Sequence, residues 1–247
     1  MYKPGSDTID TYHRFIALIP ARGGSKGIAN KNLSDLNGQP LIAYSIQAAT
    51  KSNAFTHVIV SSDSQEILKV AKRFGAERLE RNPSFATDEA PMDPVIAEVI
   101  EAARLRNDDV ICLLQPTSPI RTADHIVDAL ALFNQSDCDA VISVHAIDNK
   151  VLKAYVIDPQ SNSVLPIHSA ETSYQRRQDL PEVVMPNGAM YIFSVAAFKR
   201  QNGIPRSNIT PFLMTAEESA DVDSPEDMQY CASLLNQAAG GHQHASF

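Results

Sequence analysis

Cysteine, long apolar runs, positive charge and repetition are all scarce in this chain. Its 247 residues hold three cysteines, Cys112, Cys138 and Cys231, an odd number without metal-type spacing. That pattern offers neither a disulfide framework nor a zinc knuckle. Cys112 lies in an apolar run and Cys231 in a helical pattern, so buried thiols are expected. No stretch approaches the roughly 18 apolar residues of a membrane span. Residues 1–13 lack the apolar core of a signal peptide, so a cytoplasmic protein with no membrane partner is expected. The formal net charge of −8 argues against a nucleic-acid partner. An enzyme of this balance acting on anions must gather its cations in one place. Internal repeats and low-complexity tracts are absent, and tails at 1–13 and 238–247, the latter with His242 and His244, read as solvated.

What is present is ordinary globular material, 44% hydrophobic and 20% charged, enough for one large domain placed at 14–236. Short apolar runs alternate with amphipathic stretches, the pattern of a mostly parallel sheet covered by helices, an α/β class. Strands are expected at 15–20, 57–61, 110–114, 140–144 and 188–193. Helices are expected at 41–51, 65–74 before Gly75, 94–104, 123–133 and 224–235, the last with Ser224 as N-cap and Pro225 at its first position. Between residues 146 and 185 the grammar changes to a hairpin, with strands at 151–157 and 164–167 around a turn at 159–162.

The first strand runs into Ala21, Arg22, Gly23, Gly24, Ser25, Lys26, Gly27, Ile28, Ala29, Asn30, Lys31 and Asn32. Its glycines let backbone amides approach an anion, and Arg22, Lys26 and Lys31 supply the local positive field. No acid occurs between Phe15 and Ser34. The loop follows the carboxyl end of a buried strand, where open α/β sheets place ligands. Its spacing matches neither a dinucleotide fingerprint nor a Walker loop, and a flexible, solvated turn is the alternative. Near the other end, Asp221-Val222-Asp223 puts two carboxylates on one side of an extended segment, able to share a hard cation with phosphates. An acidic run ahead of a helix is also ordinary N-terminal charge.

The chain resembles the acylneuraminate cytidylyltransferases through Ala21-Arg22 to Lys31-Asn32, Gln115-Pro116-Thr117-Ser118-Pro119 with Arg121, Arg177-Gln178, Leu180-Pro181, Pro186-Asn187-Gly188-Ala189 and Asp221-Val222-Asp223. The resemblance implies a three-layer, Rossmann-like nucleotidyltransferase fold with an inserted dimerisation arm at 146–185, hence a homodimer. It implies transfer of CMP from CTP to an acidic nine-carbon sugar, with release of pyrophosphate and with Mg²⁺, or alternatively Mn²⁺, as cofactor. By motif match, Arg22, Lys31 and Asp221 are catalytic; Ala21, Arg22, Gly23, Gly24, Ser25, Lys26, Asn32, Arg81 and Thr87 hold the nucleotide. Gln115, Lys153, Arg177, Met185 and Asn187 meet the sugar, and Asp221 and Asp223 carry the metal. Met185 stands where sialic-acid enzymes commonly have arginine; an apolar, flexible side chain suits a less hydroxylated sugar. The legionaminate branch of the family looks similar there and at Asp148-Asn149-Lys150 with Lys153, so legionaminic acid is the expected acceptor over N-acetylneuraminic acid. A 3-deoxy-octulosonate cytidylyltransferase, a glycosyltransferase using Asp221-Val222-Asp223, and a non-catalytic nucleotide or sugar sensor are the rivals.

Overall fold

The computed structural model describes residues 13–25, 27–85 and 91–241. The elements run β1 (Phe15–Pro20), β2 (Asp35–Leu36), β3 (Gln39–Pro40), α1 (Leu41–Lys51), β4 (His57–Ser62), α2 (Gln65–Arg73), β5 (Glu77–Glu80), α3 (Met92–Ala102) and β6 (Val110–Leu114). They continue as α4 (Ala123–Gln135), β7 (Ala140–Ile147), β8 (Tyr155–Ile157), β9 (Val164–Pro166), β10 (Val183–Ser194), α5 (Val195–Gln201), β11 (Ile209–Met214) and α6 (Pro225–Gly241). Seven strands form one sheet in the order β11-β7-β10-β6-β1-β4-β5. Within it only β10 is antiparallel to its neighbours, β6 and β7.

β1 sits between β4 and β6, which is why every residue from Ile16 to Ile19 is apolar. Alternate side chains serve opposite layers. Ala17, Ile19 and Ala21 pack with Ile42 and Ile46 of α1, Ile67 of α2 and Ile126 of α4. Ile16 and Leu18 pack with Ile96 and Val99 of α3 and Phe198 of α5. Burying each large aliphatic side chain here contributes about 1.5–3 kcal/mol. A smaller cluster of Leu36, Leu41, Val222 and Cys231 docks α6. Burial raises the Cys112 thiol to about 12 and that of Cys231 to about 11, so both are inert packing groups. Cys138 is only partly buried.

The expected α/β class and mostly parallel sheet hold, and the departures have local causes. β5 is built from Glu77, Arg78, Leu79 and Glu80 and pairs on one side only, with β4; an edge strand does not need an apolar run. β11, containing Pro211, is the opposite edge and was equally silent. α5 is a short helix capped by the Ser194 hydroxyl, which accepts from Ala197 N–H at 3.0 Å. The expected strand at 151–157 is only Tyr155–Ile157, because Asn149–Lys153 forms a 3-10 helix. The Asp148 carboxylate opens that helix by accepting from Lys150 N–H at 2.9 Å. β10 begins at Val183, earlier than expected, so Met185 and Asn187 lie on a strand.

Ser224 does cap α6: its hydroxyl accepts from Asp227 N–H at 3.2 Å, and the Asp227 carboxylate accepts from Ser224 N–H at 2.8 Å. The helix runs on to Gly241, into the stretch expected to be a tail from 238 onward. His242 and His244 lie outside the described residues. No helix among the described residues is long and apolar enough to cross a membrane.

Candidate functional site

A cavity of about 260 Å³ opens beyond the carboxyl ends of β1, β5 and β6. Arg22, Gly24, Ser25, Lys31 and Asn32 line one side of it, Arg81 another, and Gln115 and Thr117 a third. Most of the expected nucleotide residues therefore share one cavity with Gln115. Lys26 and Thr87 lie outside the described residues.

The loop is held before any ligand arrives. Ala21 is fully buried and its N–H donates to Ser61 O at 2.9 Å, so it extends the sheet and presents no side chain to a nucleotide. Gly23 N–H donates to the Asp63 carboxylate at 2.9 Å. Asn32, buried in a 3-10 turn, donates its amide to Arg22 O at 3.0 Å. That is a positioning contact to the loop backbone from a residue expected to touch the nucleotide. Arg81 is 5% exposed and donates twice to Ser61, from Nε to the hydroxyl at 3.1 Å and from Nη2 to the carbonyl at 2.8 Å. Burial lowers its pKa, against the pull of Asp63 and Glu98, yet a guanidinium stays charged.

The paired acids meet the loop directly. Val222 is fully buried, so the flanking carboxylates emerge on the opposite side of the segment. Lys31 Nζ donates to Val222 O at 2.8 Å and to the Asp223 carboxylate at 3.0 Å. A side-chain carbon on Gly27 would stand 2.4 Å from Asp223 O, so only glycine permits this approach. Val222 N–H donates to Thr117 O at 2.8 Å, tying the acids to the segment after β6. Burial, and secondarily the neighbouring Asp223, raise the Asp221 carboxyl above its ordinary range, opposed by a Thr117 bond and Lys31. One Asp221 oxygen, Oδ1, is buried without a hydrogen-bond partner among the described residues. A buried, unpartnered carboxylate oxygen beside an exposed carboxylate is a donor set that fits a hard cation. No group of three or more His, Cys, Asp or Glu among the described residues could hold a metal, so any such ion would take its remaining ligands elsewhere.

The expected sugar residues divide. Gln115 lines the cavity, its side chain lying over Gly188, where a β-carbon would come within 3.0 Å of Oε1. Asn187 is buried and already engaged: Oδ1 accepts from the Ser143 hydroxyl at 2.6 Å and from Ala189 N–H at 3.1 Å, and Nδ2 donates to Ser219 at 2.8 Å. It shapes the β10 bulge rather than offering free polar atoms. Lys153, Arg177 and Met185 do not line this cavity. Lys153 ends a 3-10 turn, and Met185 is about half exposed on β10, opposite His145. Arg177 sits 3.7 Å from Asp148 and lines a different hollow with Asn149, Val184 and Leu213. Asp63 was missed by motif reading, its only sequence signal being its position just past a buried strand, while Thr117 stood inside a motif without a role of its own.

A cationic glycine loop fastened to a carboxylate pair, on a sheet of this order, is equipment for handling nucleoside triphosphates. Residues 16–218 match the cytidylyltransferase family model. The pseudaminic acid cytidylyltransferase of Campylobacter jejuni is 29% identical over 89% of this chain and 95% of its own length. The N-acylneuraminate cytidylyltransferase of Escherichia coli is 33% identical over 90% of this chain, which spans 52% of that longer protein. A solved structure of a CMP:2-keto-3-deoxy-manno-octonic acid synthetase complexed with CTP has a TM-score of 0.69 at 18% identity, covering 91% of this chain and 99% of that one. That structural likeness speaks to the fold, while the sequence match over most of the domain speaks to descent: the chain belongs to the cytidylyltransferase family.

Proposed function

We propose that this enzyme transfers CMP from CTP to a nonulosonic acid, releasing pyrophosphate, with legionaminic acid preferred over N-acetylneuraminic acid. The observation that carries the reading is the junction of Lys31 and Gly27 with Asp223, which puts a cationic glycine loop against an acid pair. Arg22 and Lys31 hold the phosphates, and Lys31, 15% exposed at its side chain, neutralises charge at the phosphorus under attack. Asp221 and Asp223 hold Mg²⁺, with Mn²⁺ as the alternative, and when bound the ion offsets phosphate charge. Gln115 orients the sugar acid, whose anomeric hydroxyl displaces pyrophosphate in line. The preference for legionaminic acid rests on the apolar Met185, which lies off this chain's own cavity and would meet the acceptor from the arm of a second subunit.

Lys153 and Arg177 serve the acceptor carboxylate from a second subunit. Their placement on the 146–185 arm, away from this chain's cavity, supports a homodimer. So do the exposed Val156, Ile157, Val164 and Leu165 on the β8–β9 hairpin, each 56–65% accessible. CTP as donor makes the cytoplasm the setting.

Pyrophosphate release from CTP, measured with legionaminic and N-acetylneuraminic acids at subsaturating concentration, tests both levels. Release with either acid and faster turnover of legionaminic acid is expected. A clear preference for N-acetylneuraminic acid overturns the sugar assignment, and no release with any nonulosonic acid overturns the activity. Sizing chromatography is expected to show a dimer.

A further inference from the structure

Arg121 precedes α4 and is 2% exposed, yet no carboxylate among the described residues pairs with its guanidinium. Its partners are neutral oxygens on three separate segments of the chain. Nη1 donates to Gln115 O at 3.2 Å and to Ala189 O at 2.7 Å, and Nη2 donates to the Ser45 hydroxyl of α1 at 2.6 Å. Nε has no partner. Burial lowers its pKa to about 10, which still leaves a cation at neutral pH. A buried, unpaired charge is costly and is poorly explained by packing alone.

The geometry says what that charge holds in place. Ser45 donates to the same Gln115 carbonyl at 3.2 Å, so Arg121 and Ser45 grip Gln115 together. The other carbonyl, Ala189 O, adjoins Gly188. Gly188 has φ of +77°, and its bare face supports the Gln115 side chain. One guanidinium thus ties the main chain beneath Gln115 to the main chain of the surface on which its amide lies.

We propose that Arg121 is a positioning residue for the acceptor half of the site, fixing the Gln115 amide by clamping the Gln115 and Ala189 carbonyls. This rests on the reading that Gln115 meets the sugar acid. The nucleotide side is attached through Asp63, Thr117 and Val222, none of which is among the guanidinium's bonded partners.

Arg121→Lys keeps the charge and loses the fork, Ser45→Ala removes one contact, and Gly188→Ala crowds the Gln115 side chain and strains the backbone beside the clamped Ala189 carbonyl. With CTP and the sugar acid varied separately, Arg121→Lys and Gly188→Ala should each raise the acceptor KM about tenfold, with the CTP KM within about twofold. Ser45→Ala should shift it in the same direction by about threefold. Independently of turnover, the side-chain amide NMR resonance of Gln115 should move in Arg121→Lys and Ser45→Ala. Equal changes in both KM values, an unchanged acceptor KM, or an unmoved Gln115 resonance overturns the clamp. If Arg121→Lys fails to fold, Ser45→Ala and Gly188→Ala decide by the same criteria. A wild-type protein inactive on every nonulosonic acid overturns the acceptor reading, while the resonance still reports whether Arg121 holds Gln115.

Discussion

The loop at 21–32 and the arm at 146–185 were both marked by motifs, but they sit in opposite physical situations. The loop leaves a fully buried strand and is fastened by Asp63, Asn32 and the Asp221–Asp223 segment, so its side chains converge on a cavity within the chain. The arm leaves β7, near one edge of the sheet, and makes a hairpin of its own. It exposes Val156, Ile157, Val164 and Leu165 and keeps Lys153 and Arg177 off that cavity. A loop tied to the core by many bonds is positioned by its own chain. A hairpin with bare apolar faces needs an outside surface to define where its charged residues act.

The largest effect expected on this contrast is at Lys31. Lys31→Met should cut kcat by about a thousandfold without unfolding the chain, since it removes a cation that adjoins both loop and acids. Steady-state kinetics with a thermal melt check both halves of that statement. Gly27→Ala should follow, with a loss of about a hundredfold, because a carbon 2.4 Å from Asp223 O must push the acid segment off the loop. Activity close to wild type would mean that the junction is not needed.

Arg177→Ala should raise the acceptor KM about tenfold and leave the CTP KM alone. Mixing Arg177→Ala with Lys31→Met subunits should then restore activity, because a mixed dimer pairs one intact cavity with one intact arm. No recovery after subunit exchange would break the assignment of the arm to a neighbour.

The smallest effect concerns a charge at the far end of the sheet. Asp109 is buried there and accepts from Arg14 Nε and from Arg106 N–H, each at 2.7 Å. Burial opposes its charge, but these bonds outweigh that cost and hold its carboxyl below the ordinary range. Because the folded value is the lower one, the unfolded chain takes up the proton first as pH falls. The stabilisation is therefore present at neutral pH and lost in acid. Asp109→Asn should lower unfolding free energy by about 1–3 kcal/mol at pH 7, less in acid, with both KM values unchanged. Denaturant titrations at two pH values check it.

Legibility followed burial and sequence distance. β1, β6 and α1 were readable to the residue because a strand or helix packed on both sides must be apolar where it packs. β5 and β11 were not, since an edge strand can be ERLE or carry Pro211 and still pair. In the site, Arg22, Lys31 and Gln115 were legible because their chemistry sits beside a recognisable strand end. Asp63 belongs to no motif, and Asn187 was assigned to the sugar although its amide is engaged with Ser143, Ala189 and Ser219. Nothing local in a sequence says whether an asparagine's four bonds are already made.

By itself, then, the sequence determined the α/β class, the cationic loop after the first strand, and the acid pair before the last helix, because periodicity, glycine spacing and charge are local properties. Tertiary structure alone decided that Lys31 and Gly27 meet Asp223 across 192 and 196 residues of chain. It also decided that Arg121 grips two carbonyls from distant segments, and that Arg177 stays away from the cavity it was expected to serve. These are contacts between distant segments, and they exist only once the core has packed and set the distances between strand ends.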